Sequence, residues 1–409
     1  MYKIGIVKAG AAGLFLATAI DVSNVSGGGI LMEGAAAPGR KLLVTGGGQC
    51  NLTRSDDIRE FIDHYGDYGS KIRSCLYKFN NEKVIRFFES RGVPCKTRED
   101  GKVFPASFKA EDVRSALVKA AQKNGWRLQT GTLVESLKPQ GIAQFAHRQT
   151  NTDDQGGWII NGDISCQQVV LATGGCSWGK LGLGKDIFPA LEALEVAVTT
   201  PKPALVPLCV ERYPFGVLAG GSVEDAQVRL CLPNGKKVAE KKGPLLFTHK
   251  SFSGPVILNI SRYAEAGMIL EIQFSSKDIG DYRGVSQSLW HHVTRKTGLS
   301  RRLVELLVTQ AGALPEEKTA SVKGRVWESL RRILTESRYV VSGSEGFAKA
   351  MVTAGGLSLS QISTKTFQVK NHPGLFACGE VLDVDGDTGG YNLQFAFSSA
   401  AAVARSLEL

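Results

Sequence analysis

The first 33 residues constrain the fold most. Tyr2 to Val7 is a short strand-like run with Ile4, Ile6 and Val7 apolar. Lys8-Ala9-Gly10-Ala11-Ala12-Gly13 follows, then a helix-like stretch from Leu14 to Val22. A second apolar run, Gly29 to Met32, ends at Glu33, twenty residues after Gly13. Strand, glycine turn, helix, strand, acid is the order of a dinucleotide-binding βαβ unit. In such a unit the helix start holds a pyrophosphate and the acid binds ribose hydroxyls. Lys8 stands where GxGxxG has its first glycine. If that turn needs a positive φ, a lysine there costs roughly 1–2 kcal/mol, which weakens the motif without removing it.

A second half of such a site lies at the other end of the chain. Gly374 to Cys378 reads as a buried strand, and the Ala-rich stretch from Leu393 to Leu407 as a helix. Between them run Gly379-Glu380, an acidic loop and Gly389-Gly390-Tyr391-Asn392. Backbone N–H groups at a helix start suit an anion, and paired glycines let a ligand approach the backbone. Glu380, at a strand end, suits a ribose or ribityl hydroxyl. Gln168 to Ala172, ending in Thr173-Gly174-Gly175, reads as a further strand of the same sheet. Leu181 to Asp186 extends its glycine loop, and Ile187 to Leu194 is a helix. One cofactor domain built from both chain ends and interrupted by an insertion is the economical architecture.

The stretch Gly39-Arg40-Lys41 to Asn51 carries Gly46-Gly47-Gly48 between two cations and Cys50-Asn51. That composition describes a loop folded around something close to its backbone. Ile58 to Arg91 is amphipathic and helical until Gly92 and Pro94 break it. Ala110 to Asn124 is a helix capped by Gly125. Trp126 to His147 and Gly157 to Cys166 read as strands of a meander with Gln149 to Gln155 as its turn. Pro201, Pro203 and Pro207 mark a boundary, after which the chain turns β-like. Ser253 is the expected N-cap of a helix from Val256 to Ala266. Tyr282 to Val340 is helical and basic. The expected division is a cofactor domain at 1–198 and 341–409, a β-rich domain at 199–278 and a helical insertion at 279–340.

No apolar run reaches the roughly 18 residues of a membrane span, and no signal peptide precedes the first strand. Both point to a cytoplasmic protein. The eight cysteines form no CxxC pair, which argues against a zinc site and against a disulfide scaffold. No metal site is expected. The net charge of +10 fits either simple solubility or an acidic partner such as nucleic acid.

Several of these segments together resemble one family. Gly39 to Leu43 with Gly46 to Asn51, Ala172 to Gly175, Pro203 to Leu208, and Leu246-Phe247-Thr248-His249 with Ser253-Gly254-Pro255 look like the BaiN/RdsA family of FAD-dependent flavoproteins. This family is also called YhiN-like or aminoacetone-oxidase-like. The match runs in consistent order from residue 4 to about residue 405. The resemblance implies a Rossmann-type FAD-binding α/β domain, an inserted β-rich, barrel-like domain, a small helical insertion and one noncovalent FAD. It implies Gly10, Ala12 and Gly13 at the pyrophosphate, Glu33 at the adenosine ribose, and Arg40 and Lys41 lining the cofactor. It implies Gly46, Gly47, Gly48 and Asn51 approaching the flavin, with Ala172, Thr173 and Gly174 near the nucleotide half. Glu380, after Gly379, would face the ribityl and phosphate groups. Gly390, Tyr391 and Asn392, after Gly389, would approach the isoalloxazine ring.

A flavin carries the redox chemistry and the protein supplies orientation and electrostatics, so no triad or metal cluster is required. Reduction of an activated C=C bond also needs a proton donor. Cys50, His249 and Tyr391 are the candidates, set against plainer roles as a packed thiol, a hydrogen-bonding turn residue and a packed ring. The family is linked to dihydrouridine formation in ribosomal RNA, reduction of unsaturated steroid-like ketones and oxidation of aminoacetone. The basic helical stretch favours the first, with NADH or NADPH as electron donor. Trp290, Trp327 and Tyr339 could stack on bases or belong to the helix core. Alternatives are a small-molecule flavoenzyme and a non-catalytic RNA-binding flavoprotein. The oligomeric state is not legible.

Overall fold

β1 (Tyr2–Val7) is a central strand in a computed structural model of the chain, which describes residues 1–141, 156–178 and 187–407. Its inward residues Ile4, Ile6 and Val7 are buried, as a strand covered on both faces requires. β2 (Gly29–Glu33) pairs parallel with β1, Ile4 opposite Gly29 and Val7 opposite Met32. β3 (Trp126–Thr130) extends that side in parallel. β4 (Leu137–Gln140), β5 (Gly157–Ile160) and β6 (Ile164–Leu171) form an antiparallel meander whose last strand runs parallel to β1. β7 (Leu375–Ala377) then pairs parallel with the end of β6, Leu375 opposite Val169 and Ala377 opposite Leu171. The strand order is β3-β2-β1-β6-β5-β4 with β7 on β6. Both chain ends therefore share one sheet, and β1, β2, β6 and β7 present their carboxyl ends at one edge. That edge is where open α/β sheets bind ligands.

Trp126 departs from the expected meander: β3 belongs to the parallel half of the sheet. The local reason is Gly29, where an added Cβ would meet the Trp126 ring at 2.7 Å. The indole lies over that gap and donates Nε1–H to the Ile20 carbonyl at 2.9 Å. The helix Ala110–Lys123 before it supplies the crossover that a parallel strand needs. The expected turn at Gln149 to Gln155 and the loop Leu181 to Asp186 lie outside the described residues.

The core of this unit, Met1–Pro203 with Met351–Leu409, is aromatic on one side of the sheet. α1 (Ala11–Ala19) packs on α2 (Tyr391–Ala404), and small residues along both allow close approach. Phe15 on α1 sits 5.2 Å from Phe397 on α2, 4.3 Å from Phe87 and 5.2 Å from Phe79 between ring centroids.

The second unit is Ala204–Ala350. Six strands close into a barrel, in the order Leu208–Val210, Phe252–Ser253, Lys237–Phe247, Ser222–Cys231, Ile269–Gln273 and Ser337–Ser344. The helices Leu289–Thr297, Arg301–Ala311 and Gly324–Thr335 share one continuous apolar core with the barrel. Gly254, not Ser253, caps the short helix Pro255–Ile260, because φ is 88° there and a Cβ would lie 2.6 Å from the Pro244 carbonyl. Of the aromatic residues that could stack on bases or belong to the core, most are core. Trp327 is buried against Tyr282 and His292, and Tyr339 packs on Phe215 and Phe252. The Trp290 face is covered by the Arg301 guanidinium at 4.1 Å. Among the described residues no helix is long and apolar enough to cross a membrane.

Phe15→Ala removes a fully enclosed ring that joins α1 to α2. It should lower the unfolding free energy by about 3–5 kcal/mol, read as a shifted midpoint in urea unfolding. An unchanged midpoint would contradict the packing described.

Candidate cofactor site

At the carboxyl edge of the sheet, a cleft encloses about 1040 Å³ of space, its solvent-open part included. The carboxyl ends of β1, β2, β6 and β7 and the segments after them supply Lys8, Gly10, Ala11, Ala12, Glu33, Ala172 to Gly174 and Glu380 to its walls. Arg40, Lys41 and Thr45 line another side, and Asn392 and Leu393 at the start of α2 a third.

The glycine turn is built as its sequence requires, with one exception. At Gly13 an added Cβ would fall 2.1 Å from the Lys8 carbonyl oxygen, so only glycine lets α1 pack this close to the turn. Lys8 itself has φ 81°, the left-handed conformation that a glycine normally takes at this point. At Gly10 nothing lies within 4 Å of an added Cβ, so the backbone faces open cleft. Neither Gly10 nor Gly390, the N-caps of α1 and α2, brings a side-chain hydrogen bond to its helix. Two helix starts thus present backbone N–H groups and positive dipole ends to the same space.

Glu33 is buried, and each carboxylate oxygen accepts one backbone N–H: Ala9 at 3.1 Å and Ala35 at 3.0 Å. The side chain is thereby fixed, with acceptor capacity left on the cleft side. Glu380 is held by more distant segments. Oε2 meets Lys41 Nζ at 2.9 Å, and Oε1 accepts the Thr353 N–H at 2.9 Å. Ser177 Oγ accepts from Lys41 Nζ at 2.9 Å and lies 3.3 Å from Glu380 Oε1. Thr353 Oγ1 in turn accepts the N–H groups of Cys176 and Ser177. Thr173 Oγ1 is buried on the cleft wall with no hydrogen-bond partner among the described residues. A buried hydroxyl without a partner is costly and calls for a ligand or water.

Ten sequence-expected residues line this cleft: Gly10, Ala12, Glu33, Arg40, Lys41, Ala172, Thr173, Gly174, Glu380 and Asn392. Others do not line it. Gly46, Gly47 and Gly48 take φ 57°, 66° and 88°, which explains three glycines in succession. Gly379 lies against α1, where a Cβ would meet that of Ala12 at 2.8 Å. Beside Gly389 stands Arg54, and beside Gly390 the Thr53 backbone, 2.8 Å from an added Cβ, so the close approach at Gly390 is to the protein itself. Asn51 is buried with Oδ1 unpartnered among the described residues. The Asn392 side chain clamps its own loop through the N–H and carbonyl of Gly386.

The three proton-donor candidates are placed differently. Cys50 is fully enclosed, and burial pushes its thiol up to about 12. Tyr391 is buried between Phe61, 5.0 Å away edge-on, and His64, stacked at 4.1 Å. Burial raises its phenol well above the ordinary range. His249 belongs to the other unit and is exposed on a turn that Thr248 Oγ1 holds by accepting the Ser251 N–H. Three positions that hold these residues in place escaped the sequence reading. Ser177 and Thr353 are small polar residues that meet Glu380 only in the fold, and His64 stacks on Tyr391 and reaches Asp387 from 323 residues away.

These residues fit a dinucleotide such as FAD: two open helix starts for a diphosphate, a fixed carboxylate for a ribose, and an unpaired hydroxyl in the wall. At φ 81° a β-branched residue is worse than lysine and glycine better. Lys8→Gly should melt at or above the wild-type temperature and Lys8→Val well below it, measured by differential scanning fluorimetry. A Lys8→Val protein as stable as wild type would show that the turn relaxes to negative φ.

A family model described as HI0933-like protein Rossmann domain matches residues 2–406. The ribosomal RNA dihydrouridine synthase of Escherichia coli (strain K12) is 29% identical over 415 residues, covering 98% of this chain and 97% of that protein. The 3-dehydro-bile acid delta(4,6)-reductase of Clostridium scindens is 27% identical over 424 residues, covering 99% of each. Among solved structures, a 3-ketosteroid-delta4-(5alpha)-dehydrogenase from Rhodococcus jostii RHA1 aligns at TM-score 0.48 and 15% identity, covering 98% of this chain and 97% of that one. The resemblance drawn from the motifs, to a family of flavin-dependent oxidoreductases, is borne out. With a match spanning both units and both halves of the cleft, this chain belongs to the HI0933-like family of Rossmann-domain proteins.

Proposed function

We propose that the protein is an FAD-dependent oxidoreductase that uses NADH or NADPH to reduce an activated C=C bond, and that its substrate is uridine in ribosomal RNA. The cleft at the sheet edge carries the cofactor assignment. FAD, when bound, supplies the hydride chemistry. The chain's own part is to bind and orient. The starts of α1 and α2 offer N–H groups to the diphosphate, and Glu33 accepts from the adenosine ribose. Lys41, fixed by Glu380 and Ser177, brings a cation to the flavin half. Burial moves the Cys50 thiol and the Tyr391 phenol further from ionisation than their already protonated ordinary forms.

The RNA assignment is supported by two relatives called ribosomal RNA dihydrouridine synthase, each 29% identical over nearly the whole chain. It is also supported by charge. Arg295, Lys296, Lys318, Lys323, Arg325 and Arg332 are exposed on the helical stretch of the second unit. Exposed Lys and Arg suit phosphate contact, which positions RNA without reading its sequence. With Trp327 and Tyr339 in the core, that surface would act through charge rather than base stacking. The bile-acid reductase relative, matched over 99% of both chains, favours a second reading, reduction of a small unsaturated ketone.

Purified protein should be yellow, and anaerobic NADH or NADPH should bleach it. Ribosomal RNA from a strain lacking the protein should lose one dihydrouridine in mass mapping. Unchanged dihydrouridine, with turnover of an unsaturated ketone, would select the second reading. Glu380→Ala strips the carboxylate from Lys41, Ser177 and Thr353 and should yield colourless protein. A variant with normal flavin absorbance would remove Glu380 from the site.

A further inference from the structure

The cleft has an apolar edge that the contacts described so far leave unused. Trp178 and Met351 both line it, 37% and 46% exposed. Trp178 is held there against backbone preference, with φ 67°, a conformation that bulky side chains avoid. Such strain persists only where the surroundings over-determine it, and it concentrates at ligand sites. On its N-terminal side the backbone is anchored. Ser177, directly before it, is fully buried. Its N–H donates to Thr353 Oγ1 at 3.2 Å, and its Oγ accepts from Lys41 and lies 3.2 Å from the Met351 carbonyl. The network that fixes Glu380 therefore also fixes the backbone from which the indole projects.

The position along the cleft selects the ring. Glu33, the acid of the βαβ unit, marks the adenosine end. Trp178 is tied through Ser177 to Lys41 and Glu380, the flavin half. We infer that Trp178 is a positioning residue for the flavin: its indole packs face-on against the isoalloxazine ring, with the Met351 side chain at the ring edge. This rests on the FAD assignment above. Flat aromatic pairs favour offset stacking, and a thioether is favourable near a ring edge.

The test uses the full-length holoprotein with W178F and W178L, each checked for wild-type circular dichroism and melting. An indole lying on a flavin quenches its emission by passing an electron to the excited ring and recovering it; a phenyl ring or leucine does not. Bound-flavin emission should rise several-fold in both variants. FAD should bind W178L about threefold to tenfold more weakly than wild type, with W178F between them. Emission equal to wild type in both variants overturns the inference, and weaker binding without an emission change does so too, placing the indole on the adenine half. If W178L does not fold, W178F alone decides through its emission. A wild-type protein that binds no FAD sinks the cofactor assignment and this inference together. A yellow wild type with unchanged variants sinks this inference alone.

Discussion

One carboxylate joins four separated segments of this chain. Glu380 follows the last strand of the sheet, and its oxygens engage Lys41, Ser177 and the N–H of Thr353. Lys41 enters from the loop after the second strand, Ser177 from the loop after β6, and Thr353 from the return of the chain after residue 350. Each belongs to a backbone stretch that lines the cleft or supports its wall. Fixing Glu380 fixes the shape of the space between them. An ion pair of this kind, about one-fifth exposed on each side, is worth more as a specification of geometry than as stabilisation, because desolvation offsets much of the Coulomb gain.

The same logic explains where strain is tolerated. Lys8 and Trp178 are both non-glycine residues with positive φ, and both line the cleft. At Lys8 the turn is forced by the contact between its carbonyl and Gly13, which seats α1 on the sheet. Trp178 directly follows Ser177, which Thr353, Lys41 and the Met351 carbonyl anchor. The surrounding packing, including the Phe15, Phe87 and Phe397 cluster beneath α1 and α2, supplies the stability that such local conformations draw on.

Much of the cofactor half was legible because its signals are local. A glycine turn between a strand and a helix, an acid after the second strand, and Gly-Gly before a helix each reflect backbone requirements within a few residues. From its own residues the barrel was legible only as β-like composition, its barrel form coming from the family resemblance, since closure depends on pairings such as Leu208 with Ser344 across more than a hundred residues. Trp126 was misplaced because alternation cannot distinguish a meander strand from a parallel one. The distinction came from the missing side chain at Gly29. Ser177, Thr353 and His64 carried no signal at all, because a small hydroxyl or a lone imidazole acquires meaning only from what stands opposite it.

By itself, the sequence determined a dinucleotide-type α/β domain shared by the two chain ends, an insertion between them and a family. Those follow from periodicity, glycine placement and motif order, which are properties of short stretches. The tertiary structure decided which residues face the cleft and which do not. It moved Tyr391 and Cys50 into packing, turned Gly390 toward Thr53, and brought Lys41, Ser177, Thr353 and Glu380 to one point. The reason is physical: a hydrogen bond or a stacked ring is made between atoms brought within a few ångströms, and only the folded chain brings residues 41, 177, 353 and 380 that close.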